Sequence, residues 1–157
     1  MIDSPELENT IRRLLASQPL AVLATQDKGQ PYTSLVTVAS SEDLKYLLFP
    51  TLRATHKYTH IAVDGRVALL VDNRSTQEAD SPDAMALTVI GTAAEVEEDE
   101  REGLLQHYLA RHPHLEEFVS DPNCALVKVQ VDCYRLVRKF QDVAELNIRQ
   151  PNGSVPV

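Results

Sequence analysis

Apolar residues recur at helical spacing in three stretches of the chain. They predict a first helix over residues 5–17, a second over 53–63 and a third over 99–111. The pair His112-Pro113 ends the third helix, because a residue that precedes proline is disfavoured in a helix. The rest of the chain follows the shorter period of strands.

Six further stretches either alternate between apolar and polar residues or are continuously apolar. Short polar turns, the first at Asp27-Lys28-Gly29, join the first three and predict an antiparallel meander. The fourth stretch is apolar throughout, which is typical of a strand buried on both faces. Gly91 indicates a bulge or a close approach of the backbone in the fifth. The predicted strands cover residues 20–25, 31–39, 44–50, 67–72, 84–96 and 124–137.

Strands linked mostly by hairpins predict a mostly β protein, with a closed or nearly closed barrel and helices at its ends. The length of 157 residues suits a single domain, and residues 149–157 are expected to form a loose tail. A hydrophobic content of 43% and a charged content of 24% are ordinary for a soluble globular protein.

The charge balance limits the classes of partner. A net charge of −8 argues against nucleic acid, whose binding needs an extended basic face. No apolar run is long enough to cross a bilayer, so no membrane partner is expected. The acidic stretch Met1–Asn9 lacks the apolar segment of a secretory signal, and a cytoplasmic location is expected.

Two cysteines, Cys124 and Cys133, lie nine residues apart in the last predicted strand. An odd separation along a regular strand places two side chains on opposite faces, about 30 Å apart. Free thiols in a reducing compartment are therefore expected. No metal site is expected either. His56 and His60 have a zinc-compatible spacing, but the polar face of a helix is the favoured interpretation.

The junction between the third predicted strand and the second predicted helix concentrates polar chemistry. Two hydroxyls and three potential cations fall within seven residues, namely Thr51, Arg53, Thr55, His56 and Lys57. Free N–H groups at a helix start add donors, and Arg53 and Lys57, spaced i, i+4, share a helix face. A phosphate needs these groups. The alternative is a solvated helix start with stray positive residues, which the residue types alone slightly favour.

The second predicted strand mixes hydroxyl and apolar side chains. Ser34 and Thr37 stand among Leu35, Val36 and Val38, an arrangement that suits a flat ring with polar edges. The alternative is that such residues simply favour strands, and taken alone it is the stronger interpretation.

Three blocks of sequence resemble a known family. They are Gly29-Gln30-Pro31-Tyr32, then Phe49-Pro50-Thr51 followed after four residues by His56-Lys57, and finally the run from Gly65 to Leu70. Across residues 18–95 the blocks and their spacing resemble the pyridoxamine-phosphate-oxidase-like split-barrel family. The resemblance implies a six-stranded antiparallel split β-barrel that binds flavin mononucleotide (FMN).

The resemblance also implies a homodimer with the flavin in a cleft between the subunits. In the family the second strand lines the flavin ring, and the end of the third lies near the ribityl chain and the phosphate. The cofactor-binding residues predicted from this resemblance and from the residue types are Ser34, Leu35 and Val36 at the ring, Pro50, Thr51, Arg53, Thr55, His56 and Lys57 at the ribityl phosphate, Asn73 and Arg74 reaching in from either subunit, and Gln141 in a segment closing over the flavin.

The chain departs from the oxidase of that family at three positions. Ser34 replaces a phosphate-binding arginine, Ala39 a lysine, and Ala86 a flavin-contacting glutamine. The arginine-rich, substrate-binding C-terminus of the oxidase is also not evident. The resemblance is therefore to the broader family, and oxidation of vitamin B6 is not expected.

The main functional hypothesis is an FMN-dependent oxidoreductase that uses NAD(P)H or a small-molecule substrate of unknown identity. The flavin carries the hydride chemistry, so no side chain is assigned a catalytic role. Two alternatives keep the same barrel. One is a flavin-binding module without catalysis that acts in sensing, electron relay or carriage, and the other is a protein that binds deazaflavin or haem.

Overall fold

The structure is a computed structural model that describes residues 4–74, 83–138 and 142–149. The helices in these ranges are α1 (Ser4–Ser17), α2 (His56–Val63), α3 (Glu98–Arg111) and α4 (Glu116–Val119), with a 3-10 turn at Pro113–Leu115. The strands are β1 (Leu20–Asp27), β2 (Gln30–Thr37), β3 (Ala39–Ser40), β4 (Tyr46–Leu52), β5 (Arg66–Asp72), β6 (Met85–Glu95), β7 (Cys124–Arg138) and β8 (Asp142–Asn147).

All eight strands belong to one sheet, and every pairing is antiparallel. The order is β2-β1-β5-β6-β7-β4-β3, with β8 paired to β7. The sheet curls into a half-barrel around one apolar cluster, to which α1 contributes Ile11 and Leu15. A second cluster lies under α3 and α4 and includes Tyr108 and Val119. The mostly β architecture with flanking helices is therefore confirmed.

The predicted number of six strands is wrong, because the structure has eight in the described residues. One extra strand, β3, arises where the chain leaves its pairing with β1 at Val38 and then pairs with β4. The N–H of Val38 donates instead to the carbonyl of Pro19, at 2.9 Å. The other extra strand, β8, pairs with the far half of β7. The sequence pattern gave no sign of it, since only Leu146 of β8 is buried.

The strand β5 is buried on one face only, which corrects the prediction of burial on both. Val67, Leu69 and Val71 point into the core, whereas Leu70 between them is 39% exposed. The apolar run of β5 is continuous because the residues on the outer face of the sheet are also apolar, although no other part of the described chain covers that face.

A bulge interrupts the pairing of β6 with β7. Ile90 pairs with Cys133 and Gly91 with Val131, so Asp132 is the extra residue. A Cβ at Gly91 would lie 2.2 Å from the carbonyl oxygen of Gln130, and only glycine fits there. The bulge predicted at Gly91 is confirmed.

The same bulge changes which face the cysteines occupy. Val131 and Tyr134 both belong to the main core cluster, so the extra residue between them inverts the alternation along β7. Cys124 and Cys133 consequently lie on the same face of the sheet, not on opposite faces as predicted. Both are buried free thiols, and burial raises the pKa of each.

The helices of the described residues are not membrane spans, since none has the length and apolar character that crossing a bilayer requires.

Candidate functional site

A cleft opens where β2 and β4 face each other without forming a ladder. Its volume is about 430 Å³, within the range of small-molecule sites. The walls come from β2, from the end of β4 and the start of α2, and from the segment after α3. The lining residues are Leu35, Val36, Thr37, Pro50, Thr51, Leu52, Thr55, Lys57, Leu115 and Phe118.

Two threonines shape the turn between β4 and α2. The hydroxyl of Thr55 donates to the carbonyl of Leu52 at 2.8 Å and accepts from the N–H of Tyr58 at 3.3 Å, so Thr55 is the N-cap of α2. The hydroxyls of Thr51 and Thr55 also bond each other at 3.0 Å. Both side chains therefore hold the turn in place, at the edge of the cleft.

The start of α2 supplies donors toward this end of the cleft. The first i to i−4 bond runs from the N–H of Thr59 to the carbonyl of Thr55, at 3.2 Å. The N–H groups of His56 and Lys57 precede it and have no acceptor within the helix. With Lys57 lining the cleft and the helix dipole at the same end, this end suits an anion.

A buried hydroxyl next to the cleft is without a partner. Ser34 Oγ is shielded from solvent and forms no hydrogen bond within the described part of the chain. It directly precedes Leu35 and Val36, which line the cleft. An unsatisfied buried hydroxyl is costly, and an oxygen of a bound ligand is the kind of group that would satisfy it.

Arg53 lies outside the cleft. Its guanidinium pairs with Glu95 at 2.5 Å and donates to the carbonyl of Pro122 at 2.9 Å. Since α2 begins only at His56, the prediction that Arg53 and Lys57 share a helix face is wrong. Tyr58 also donates to Glu95, at 2.5 Å. The hydrogen bond from Arg53 and that from Tyr58 lower the pKa of the Glu95 carboxyl.

His56 packs into a small ring cluster at the rim. The centroid of the Tyr32 ring lies 5.7 Å from that of His56 and 5.2 Å from that of His60. His60 Nδ1 is in turn hydrogen-bonded to the hydroxyl of Thr25, at 2.8 Å. His56 itself is exposed and does not line the cleft in this structure. Its contact with a phosphate stays a prediction.

Two further predicted residues, Asn73 and Arg74, do not line the cleft. Asn73 is buried at the end of β5, where its amide donates to the carbonyl of Asp83 at 2.9 Å. Arg74 pairs with Asp72 at 3.2 Å. Gln141 is outside the described residues. The structure therefore brings together Leu35, Val36, Pro50, Thr51, Thr55 and Lys57, with Ser34 and His56 beside them.

Four lining residues are not among the predicted site residues. Thr37 and Leu52 each adjoin a predicted residue on the same strand, whereas Leu115 and Phe118 follow the helix stop at His112-Pro113, where the sequence pattern assigns no role. The available signal was the presence of two large apolar side chains just after that stop. It was weak, because single apolar residues on a surface are common.

The comparison with known families decides the relationship. The profile of the family described as pyridoxamine 5'-phosphate oxidase matches residues 7–138. The chain belongs to the pyridoxamine 5'-phosphate oxidase family. This match extends beyond the resemblance at residues 18–95 in both directions, and it reaches Leu115 and Phe118. None of the curated proteins matches the sequence.

Solved structures share the fold at low sequence identity. A haem-binding protein from Mycobacterium smegmatis is 18% identical with a TM-score of 0.79, over 93% of this chain and 60% of that one. General stress protein 26 from Bacillus anthracis is 20% identical with a TM-score of 0.65, over 90% and 98%. An FAD-binding protein from Mesorhizobium loti is 15% identical with a TM-score of 0.64, over 87% and 90%. The half-barrel is thus the split-barrel fold predicted from the sequence, and its neighbours include both flavin and haem binders.

Proposed function

We propose that this family member binds FMN in the cleft between β2 and β4, with the phosphate at the start of α2. The observation that carries the proposal is that one cavity joins a cation, the start of a helix and an apolar strand surface. Lys57 supplies the cation, and Leu35 and Val36 supply the strand surface. FMN matches both parts of the cavity, because it carries a phosphate monoester at one end and a flat, mostly apolar ring at the other.

The lining residues favour a flavin over haem. Haem iron is held by His, Cys, Met or Tyr, and the described residues that line the cleft include none of these types. Lys57 is the only cation among them, which suits the single phosphate of FMN better than the two phosphates of FAD. The haem-binding and FAD-binding neighbours share the fold alone.

The proposed function extends to a homodimer in which a second copy covers the outer face of β2, β1 and β5. Leu35 is 64% exposed and pairs with Val22, which pairs on its other side with Leu70. These three side chains form an apolar row across three strands. Because Leu35 also lines the cleft, a copy placed on this row would close the cleft from that side.

The proposed activity is an FMN-dependent oxidoreduction with NAD(P)H or a small-molecule substrate. Bound flavin supplies the hydride chemistry. The chain's own part is to hold the phosphate at Lys57 and to exclude water from the ring with the apolar strand residues Leu35 and Val36. Lys57 is the only titratable side chain among the described lining residues, which fits a reaction without a side-chain acid or base.

Lys57→Ala tests the phosphate assignment. Loss of a charge-assisted contact worth about 1.5–3 kcal/mol should weaken FMN binding by roughly 10- to 150-fold. Riboflavin lacks the phosphate, so its affinity should hardly change. Both dissociation constants can be measured by fluorescence titration. Lys45→Ala removes an exposed lysine outside the cleft and should leave both constants unchanged.

The wild-type protein gives the decisive result. A yellow protein that releases FMN on denaturation, with bound flavin reduced by NADH or NADPH and reoxidised by a substrate, supports the full proposal. A bound flavin that neither nicotinamide reduces would indicate the non-catalytic module. A protein with no measurable affinity for FMN would overturn the proposal.

A further inference from the structure

Phe118 is a large apolar side chain that the described fold leaves uncovered. It is 38% exposed and lies on α4, in which only Val119 is buried. Val119 next to it is 2% exposed and packs into the second core cluster with Tyr108. Leu115, one turn earlier, packs against the same cluster.

The segment that carries Phe118 is held in place from several sides. His112 is buried, and its Nε2 is hydrogen-bonded to the carbonyl of Val38 at 2.8 Å. The carbonyl of Pro122, just after the helix, accepts from Arg53. Phe118 therefore belongs to a segment of the cleft wall whose position is fixed by hydrogen bonds on both sides of it.

We propose that Phe118 packs against the isoalloxazine ring of bound FMN and sets much of the affinity for the ring. This inference rests on the proposed FMN site. If Lys57 holds the phosphate, the apolar lining residues contact the remaining part of the ligand, which is the flavin ring. They cannot contact the phosphate instead, because apolar groups do not offset the free energy that a phosphate loses when it leaves water. An aromatic side chain also gains from contact with a flat ring beyond the area that it buries.

Binding of three flavins separates the ring contact from the phosphate contact. Phe118→Ala should weaken FMN, riboflavin and lumiflavin by a similar factor of about tenfold or more. The ratio of FMN to riboflavin affinity should stay at its wild-type value. Lys57→Ala should have the opposite pattern and lower that ratio. Phe118→Leu should give an intermediate loss, and Phe118→Tyr should retain most of the affinity.

The absence of tryptophan from the chain allows a direct probe of contact. An indole touching a flavin quenches its emission by electron transfer, which falls off steeply with distance. Phe118→Trp should therefore bind FMN and abolish its fluorescence. Val63→Trp is the matched control, because Val63 is 85% exposed on α2 and does not line the cleft. Its complex should stay much more fluorescent.

The outcomes are distinguishable. If the wild type binds no FMN, the proposed function itself fails. If Lys57→Ala weakens FMN binding while Phe118→Ala does not, the FMN site stands and the ring contact is overturned. If Phe118→Ala alters only self-association, a second copy covers this residue and the inference is again overturned. Thermal melting of each variant confirms that it is folded.

Discussion

At the scale of single residues, the structure separates two cations that the sequence places together. Arg53 and Lys57 are four residues apart and both precede or open α2. Lys57 lines the cleft, whereas Arg53 turns to Glu95 on β6. The phosphate role of Lys57 could be proposed from sequence because His56-Lys57 and its spacing from Phe49-Pro50-Thr51 resemble the family, although the residue types alone slightly favour a solvated helix start. The partner of Arg53 could not, because Glu95 is 42 residues away.

The Arg53–Glu95 pair makes a prediction about stability and pH. Glu95→Gln should lower the free energy of unfolding at neutral pH by about 1 kcal/mol, since the pair is partly exposed. The folded state lowers the pKa of this carboxyl, so the stabilisation is present at pH values above its ordinary 4.5 and is lost as the pH falls through the lowered value.

Urea unfolding of the wild type and Glu95→Gln across pH measures this effect. The difference between the free energies of unfolding of the two proteins should have its full size near neutral pH and should become smaller in acid. Glu117→Gln, which changes an exposed carboxylate on α4, should stay within about 0.5 kcal/mol of the wild type. A difference that persisted undiminished at the lowest pH would contradict the assignment.

At the scale of elements, the sequence predicted the helices α1, α2 and α3 and the long strands β6 and β7 well. The periodicity is strongest in α1 and β6, which each bury one face, whereas α2 and α3 each bury a single residue, Ile61 and Tyr108. It missed β3, α4 and β8, which are short and owe their structure to neighbours. The sequence pattern also assigned Cys124 and Cys133 to opposite faces of the sheet, whereas they lie on the same face. Alternation assigns side chains to the correct face of a sheet only while the strand is regular. The extra residue Asp132 exchanges the two faces for every residue of β7 that follows it.

The bulge yields a prediction with a matched control of opposite sign. Gly91→Ala should destabilise the protein by about 1–3 kcal/mol, because the new methyl would meet the backbone of Gln130 and not a side chain that can move. Gly103→Ala lies on α3 with nothing within 4 Å of the added Cβ, and it should stabilise by about 0.5–1 kcal/mol.

Denaturant midpoints of the two glycine variants, with a check that the slopes are unchanged, measure both effects. Destabilisation of equal size at the two glycines would show that the close approach at Gly91 carries no special cost.

At the scale of the whole molecule, the proposed homodimer makes its own prediction. Leu70→Lys should shift the protein from dimer to monomer, because a charge would be buried in the apolar row of Leu35, Val22 and Leu70. FMN binding should weaken as well, although Leu70 does not line the cleft. Sedimentation analysis and an FMN titration measure the two effects.

Val63→Lys is the control for Leu70→Lys, since it adds the same charge at an exposed position on α2. It should leave both the sedimentation and the affinity unchanged. A wild type that sediments as a monomer at all concentrations, bound to FMN, would contradict the dimer proposal.

A ligand bound in the gap between β2 and β4 should lengthen the lifetime of the protein. Strand β2 pairs with β1 alone, so its far edge has no backbone partners among the described strands. A ligand seated there stabilises only the folded chain, by about 2.7 kcal/mol at one hundred times its dissociation constant. The protein without its ligand should therefore open more often and be degraded more readily. If the ligand is the proposed FMN, the amount of this protein in a cell should follow the supply of FMN.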